Sequence, residues 1–343
     1  FKIYDAFFIL IKKKMILAGD IGGTNTRLAL VEKIDKGFNF VAEKQFSSSS
    51  HKNLAEIVQI FLEENAHPVD RTCFGVPGPV SGKSAKLQNL PWIVDTDNLA
   101  HLFDHNHIWL INDLEANAYG IKELDENEFA VLNQGEENPS GNYAVISAGT
   151  GLGQAGIYND RGTLRPFATE AGHADFAPRN ELEMELFRYL LTKFERVSVE
   201  RVVSGMGLQN IYEFLRATKR AEEPAWLAEE IKKNGDVGAV VSKCGLDGNS
   251  AICEQTLEIF VSLYGAEAGN LALQILATGG IYLGGGIAPK ILPKLKEETF
   301  LKSFTAKGRM RELLEKIPVR VILNDKAALI GAAHFAFYNI PEN

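Results

Sequence analysis

Two stretches of this chain follow one plan: an apolar strand, a glycine-rich turn and a second strand that doubles back. In the first, Ile16, Leu17 and Ala18 lead into Gly22-Gly23, after which Thr26, Leu28 and Leu30 alternate with Arg27, Ala29 and Val31. A Gly-Gly step between two such runs is a hairpin signal, and Phe38, Phe40 and Ala42 extend the alternation into a third strand. The second stretch opens on the run 143–147, turns through Gly149-Thr150-Gly151-Leu152-Gly153 and leaves along 154–158. A repeated strand–turn–strand unit implies two related halves. A length of 343 residues points the same way, because single hydrophobic cores stop growing at about 250–300 residues.

The remaining periodicities fill in an α/β pattern. A helix is expected over 54–64, followed by a short strand at 72–76. Leu182, Leu186, Leu190 and Phe194 recur every four residues, with Leu191 on the flank, as on one face of a helix. The long apolar stretch 251–277 reads as a buried helix or helix pair. Ile281-Tyr282-Leu283 reads as a strand entering Gly284-Gly285-Gly286, with Pro289 near the start of another helix. No low-complexity linker separates the halves. The polar stretch 125–142 places the boundary near 120–142.

Bulk properties remove several function classes. The formal net charge is -8, and no basic run of the kind a nucleic-acid binder shows is present. Cys73, Cys244 and Cys253 form no Cys-x-x-Cys pair and no Cys/His cluster, which fits inert thiols in a reducing cytoplasm and argues against structural zinc. The apolar run 1–11 is too short to span a membrane. Its lysines, Lys12, Lys13 and Lys14, follow the run, whereas a signal peptide carries them ahead of it. Residues 1–14 therefore read as an extension before Met15, with a peripheral anchor or a partner-binding segment as the alternative.

Several motifs are capable of chemistry. In Asp20-Ile21-Gly22-Gly23-Thr24-Asn25-Thr26, glycines let the backbone approach an anion so that successive N–H groups point at phosphate. Thr24 and Thr26 add hydroxyls, and Asp20, ending a strand, can hold Mg²⁺ directly or through water; a tight hairpin with an incidental Asp is the plainer reading. The loop 149–153 can meet phosphates from another side. It also contains Gly151-Leu152-Gly153-Gln154-Ala155-Gly156, which matches a dinucleotide fingerprint only if a helix follows; Asn159-Asp160-Arg161-Gly162 makes a turn instead. Gly82-Lys83-Ser84 lacks the upstream Gly of a phosphate-binding P-loop, since position 77 is Pro. Asn112-Asp113 lies between an apolar strand and a helix. Asp113 there can take a proton from an attacking hydroxyl, while Asn112 with Glu115 equally resembles a capping box that merely starts the helix. Glu170-Ala171-Gly172-His173-Ala174-Asp175 can converge on a polyhydroxylated ligand or be a surface loop with a satisfied His. Glu200 is either a ligand or a helix-start acid.

Taken together, Gly19-Asp20-Ile21-Gly22-Gly23-Thr24-Asn25, Ile111-Asn112-Asp113, the loop 149–153, Glu170 to Pro178, Val199 to Gly205 and Gly284 to Pro289 resemble, in order and spacing, the bacterial glucokinase family of the hexokinase and actin superfamily, from about Met15 to His334. The resemblance implies an α/β fold of two actin-like, ribonuclease H-like domains with a cleft between them: 15–123 with 325–343 as the small domain and 124–324 as the large one, a final helix near 327–337 returning to the first. It implies an ATP-dependent transfer of the γ-phosphoryl group to the 6-hydroxyl of glucose in the cytoplasm, with Mg²⁺, by a protein that forms homodimers. By the same resemblance Asp113 is the general base, and Asn112, Asp113, Glu170, His173 and Glu200 hold the sugar. Asp20, Gly22, Gly23, Thr24, Asn25, Thr150 and Gly151 face the phosphates and metal, and Gly284, Gly285 and Gly286 the adenosine. The related repressor/kinase family carries a Cys-rich zinc motif after its Glu-x-Gly-His segment; this chain does not. No helix-turn-helix precedes the first hairpin, which disfavours a repressor, and Ala171 stands where many relatives have Gly. A kinase for mannose, glucosamine or fructose, or a non-catalytic sugar-binding regulator, is the alternative.

Overall fold

The computed structural model describes residues 15–87 and 90–339; the apolar extension ahead of Met15 lies outside them. The described residues form two units. One comprises those up to Leu124 together with those from Lys326 onward, and the other is Asp125–Asp325.

A five-stranded sheet organises the first unit. In chain order its strands are Met15–Ile21, Asn25–Lys33, Phe38–Ser47, Val69–Val76 and Ile108–Asn112, and across the sheet they lie third, second, first, fourth, fifth. The first three pair antiparallel; the fourth and fifth run parallel to the first. Because side chains alternate along a strand, the sheet feeds two cores. Leu17, Leu28, Leu30 and Phe74 pack with Phe61 on one face, and Ile16, Ala18, Ala29, Val31 and Cys73 pack with Ala328, Leu329 and Ala332 on the other. The helix Leu54–Glu64 covers the first face because Leu54, Ile57, Val58 and Phe61 fall at helical spacing, and Asn53 caps it by accepting the Glu56 N–H. Each of these buried side chains stabilises by about 1.5–3 kcal/mol.

Small residues set the second face. The helices Asp113–Gly120 and Ala327–Tyr338 cross so closely that a Cβ on Gly120 would lie 2.0 Å from the Ala327 carbonyl oxygen, and one on Gly331 would lie 1.7 Å from that of Ala116. Only glycine admits this approach. A separate three-stranded sheet, Val80–Ser81, Ser84–Lys86 and Ile93–Asp95, places Gly82-Lys83 in a tight turn between strands rather than a phosphate loop.

The second unit repeats the plan. Its strands Tyr143–Ala148, Leu152–Asp160, Thr163–Thr169, Gly280–Gly284 and Val319–Ile322 lie in the same order, and Phe129–Asn133 adds an antiparallel sixth at the edge. The two related halves expected from the glycine hairpins are thus two sheets of one topology, the ribonuclease H-like plan. The dinucleotide look-alike 151–156 enters a strand, not a helix. The apolar stretch after position 250 is one helix, Ala251–Ile275, ended by Leu276 in the left-handed conformation. Pro289 lies in a run of turns shortly before the helix Leu292–Leu295. Glu200 is the first-turn acid of a short 3₁₀ helix, Val199–Arg201. No helix among the described residues is long and apolar enough to cross a membrane, and all three cysteines are buried free thiols.

Candidate active site

In each unit singled-out residues lie at the carboxyl ends of co-directional strands of the sheet, where open α/β sheets bind ligands. Strand register in the first unit pairs Asp20 with Gly75 and Val76 with Asn112, so Asp20 and the Asn112-Asp113 step share one sheet edge. Asp113 is the first residue of its helix, and its Cα lies 3.6 Å from where a Cβ on Gly75 would sit. The helix-start reading of this step holds. Asn112 Oδ1 caps the helix, accepting the N–H groups of Leu114 at 3.0 Å and Glu115 at 3.4 Å. Its Nδ2 donates to the Gly78 carbonyl at 3.2 Å, tying the cap to the turn 77–79. Asp113 Oδ1 accepts the Leu114 N–H at 2.9 Å, which orients the carboxylate. Burial pushes the Glu115 carboxyl above its ordinary range, against a hydrogen bond from the Asn112 backbone.

The first glycine turn closes through the Gly22 N–H, which donates to the Asn25 carbonyl at 2.8 Å. Thr24 and Asn25 are the exposed part of the turn, with Gly22 and Gly23 half-buried. Ser48, which sequence reasoning missed, braces it: its Oγ–H donates to the Gly22 carbonyl at 2.7 Å, its N–H donates to the Thr24 carbonyl at 2.9 Å, and its Oγ lies 3.0 Å from Thr26 Oγ1. Nothing in the run Ser47 to Ser50 distinguishes this serine from its neighbours.

Asp20 pairs across the hairpin with Arg27. Burial raises its carboxyl above the usual range, and the Arg27 charge pulls it back only in part. The sign of the linkage follows. A carboxyl whose folded pKa exceeds its unfolded value binds the proton more tightly when folded, so stability falls as pH rises through the unfolded and then the folded pKa, and the penalty is complete above both. Asp20→Asn is therefore expected to raise Tm at neutral pH, with the gain shrinking as pH drops below the usual carboxylate range. Thermal unfolding at pH 7 and pH 4 checks this; a variant less stable at pH 7 contradicts it. A carboxylate held at such a cost suits a cation. Among the described residues no three His, Cys, Asp or Glu side chains gather as a metal cage, so the residues fit Mg²⁺ carried in by phosphates and met by one carboxylate.

In the second unit the loop 149–153, the segment 170–175, Glu200 and Gly284-Gly285-Gly286 come together. The Gly149 N–H donates to the Gly151 carbonyl at 2.9 Å, closing the turn around Thr150. Gly285 adopts φ +78°, and a Cβ on it would lie 2.4 Å from the Ala148 carbonyl oxygen, which sets the Gly284–Gly286 turn against the strand leading to this loop. Glu200 joins two groups that the sequence kept apart. Its Oε2 accepts the Leu152 N–H at 2.9 Å and fills the space a Cβ on Gly151 would need, 2.5 Å away. Its Oε1 lies 3.9 Å from His173 Nδ1, and His173 Nε2 lies 3.8 Å from Glu170 Oε2. These spacings exceed hydrogen-bond length. The side chains of Glu170 and His173 are about half exposed, at 49% and 45%. Two acceptor carboxylates around an imidazole that donates or accepts match the hydroxyls of a sugar. Arg196 Nη1 donates to the His173 carbonyl at 2.6 Å and pairs with Asp175.

A family model described as Glucokinase matches residues 17–338. The glucokinase of Nostoc punctiforme is 46% identical over 333 residues, covering 93% of this chain and 98% of its own length. Among solved structures, a glucokinase from an Antarctic psychrotroph superposes with a TM-score of 0.80 at 30% identity, covering 94% of this chain and 99% of that one. A Balamuthia mandrillaris glucokinase solved in complex with glucose superposes at 0.76 with 22% identity over 94% of each chain.

Proposed function

This chain belongs to the glucokinase family, and on that premise we propose that it transfers the γ-phosphoryl group of ATP to the 6-hydroxyl of glucose with Asp113 as the general base. The observation that carries the assignment of Asp113 is its place: the first residue after a parallel strand, with one carboxylate oxygen held by the Leu114 N–H at 2.9 Å. The other oxygen then meets the sugar hydroxyl and accepts its proton as the oxygen attacks phosphorus. Phosphoryl transfer depends mainly on positioning and charge stabilisation.

Asn112, Glu170, His173 and Glu200 hold the remaining hydroxyls. Asn112 acts through the second hydrogen of its Nδ2, because its oxygen caps the helix and the first hydrogen goes to the Gly78 carbonyl. The backbone N–H groups of Gly23, Thr24, Thr150 and Gly151 face the phosphates; those of Gly22 and Gly149 close their turns instead. Gly284, Gly285 and Gly286 border the adenosine. Mg²⁺, when bound, would neutralise charge developing on the phosphates, and Asp20 is the residue that would hold it, directly or through water. The reducing cytoplasm suits the free thiols, and the family resemblance supports a homodimer, which light scattering of the purified protein tests.

A panel of hexoses assayed for ADP release tests the substrate. The expected outcome is that glucose has the highest kcat/KM. A higher value for mannose, fructose or glucosamine would keep the kinase and overturn the sugar. Sugar binding with no ATP-dependent product would leave only a sugar-binding regulator.

A further inference from the structure

The segment 170–173 carries two of the three clustered sugar-site side chains, yet it hangs from Thr163–Thr169, an edge strand that pairs, among the described residues, with Leu152–Asp160 alone. Its later part is held by Arg196, which donates to the His173 carbonyl and pairs with Asp175, and its start depends on that strand. We propose that Thr169, which no part of the reaction uses directly, is a positioning residue for sugar binding. This rests on the assignment of Glu170 and His173 to the sugar.

Thr169 is the last residue of its strand and lies opposite Gln154 in register. Its Oγ–H donates to the Gln154 carbonyl at 2.8 Å, and the same oxygen accepts the Ala171 N–H at 3.3 Å. One hydroxyl thus fastens the start of the sugar segment to the adjacent strand. The anchor is firm. Gln154 is fully buried, and its Nε2 donates at 2.7 Å to Glu267 Oε1 on the long central helix, itself 7% exposed.

A second fastening lies two residues on. A Cβ on Gly172 would stand 1.9 Å from the Leu152 carbonyl oxygen, so the backbone of the segment is pressed onto the same strand. The N–H of that same Leu152 is held by Glu200. Glu170, His173 and Glu200 are therefore all referenced to the short stretch Leu152 to Gln154. Loss of the Thr169 hydroxyl releases Glu170 at its root while Glu200 keeps its own tie. Loss of one such hydrogen bond changes an equilibrium constant by about two- to tenfold.

The test compares Thr169→Val, which keeps the shape and removes the hydroxyl, with Thr169→Ser, which keeps the hydroxyl and removes the methyl. The sugar is whichever hexose the panel ranks first. Valine is expected to raise the sugar KM, and the sugar Kd by calorimetry, about tenfold, with kcat within about twofold and the ATP KM unchanged; serine is expected to restore the wild-type KM. A wild-type sugar KM in Thr169→Val overturns the proposal. So does an equal loss in both variants, which would assign the effect to methyl packing, or a parallel fall in kcat and Tm, which would make the residue merely structural. Failure of the catalytic reading shows elsewhere, as undiminished turnover in Asp113→Asn, and leaves the binding comparison intact.

Discussion

Asp113→Asn is expected to lower kcat by roughly 10²–10⁴-fold, the range over which a positioned general base acts, while the glucose KM stays within about twofold of wild type. The substitution is a narrow one. Asparagine keeps the oxygen that accepts the Leu114 N–H, so the side chain stays in place and the helix start is preserved. What disappears is the ability to take a proton. Loss of a negative charge at a helix N-terminus costs about 0.3–1 kcal/mol, too little to unfold the unit, so stability and turnover separate cleanly. A coupled ADP assay at saturating ATP reads kcat, and calorimetry with glucose reads binding. Near-wild-type turnover would place the base elsewhere. A collapse of glucose affinity without a fall in kcat would make Asp113 a sugar ligand alone.

The second large effect is on folding. Gly331→Ala would put a methyl 1.7 Å from the Ala116 carbonyl oxygen and 2.6 Å from the Gly120 backbone nitrogen. Both neighbours are backbone atoms within a helix, so no side chain can swing aside. The two helices must part, opening the face lined by Ala116, Ala328, Ala332 and Ala333. Overpacking a tight core costs about 1–3 kcal/mol and occasionally more, and a backbone obstacle belongs at the upper end. The expected result in urea is an early transition that Asp125–Asp325 does not share, followed by a later one at its wild-type midpoint. Because the helix that moves begins at Asp113, kcat is expected to fall as well. An unchanged unfolding curve would mean that the helix contact is looser than the glycines imply.

Local order was easy to read and convergence was not. The helix Leu54–Glu64 and both glycine hairpins follow from periodicity and turn chemistry, because neighbours in sequence decide them. The topology shared by the two sheets was foreshadowed only by those hairpins. The site was legible as separate fragments. No spacing rule brings Glu200 to Leu152 and His173, since that meeting depends on how a 3₁₀ turn packs against a distant strand. Asn112-Asp113 supported two readings because one side chain caps the helix and the next presents the carboxylate. Ser48 and Thr169 left no signal, their roles being hydrogen bonds to backbone carbonyls that any exposed Ser or Thr is equally equipped to make. The resemblance to glucokinases assigned roles to the fragments, and the register of the strands explains why those in each unit share an edge.

The helix Ala327–Tyr338 has a consequence for synthesis. It supplies Ala328, Leu329, Ala332, Ala333 and Ala336 to the core on one face of the first sheet, yet it is translated after the whole of Asp125–Asp325. A nascent chain therefore carries Ile16, Ala18, Ala29 and Val31 with only part of their cover, Ala116 and Tyr119 of the helix Asp113–Gly120, while the later unit, contiguous in sequence, is being made. The usual order, in which the N-terminal domain folds first, cannot complete this core until the last helix has been made. The hairpin Met15–Lys33 is synthesised long before the helix that completes its core, and for that interval it carries an apolar face that a chaperone can hold.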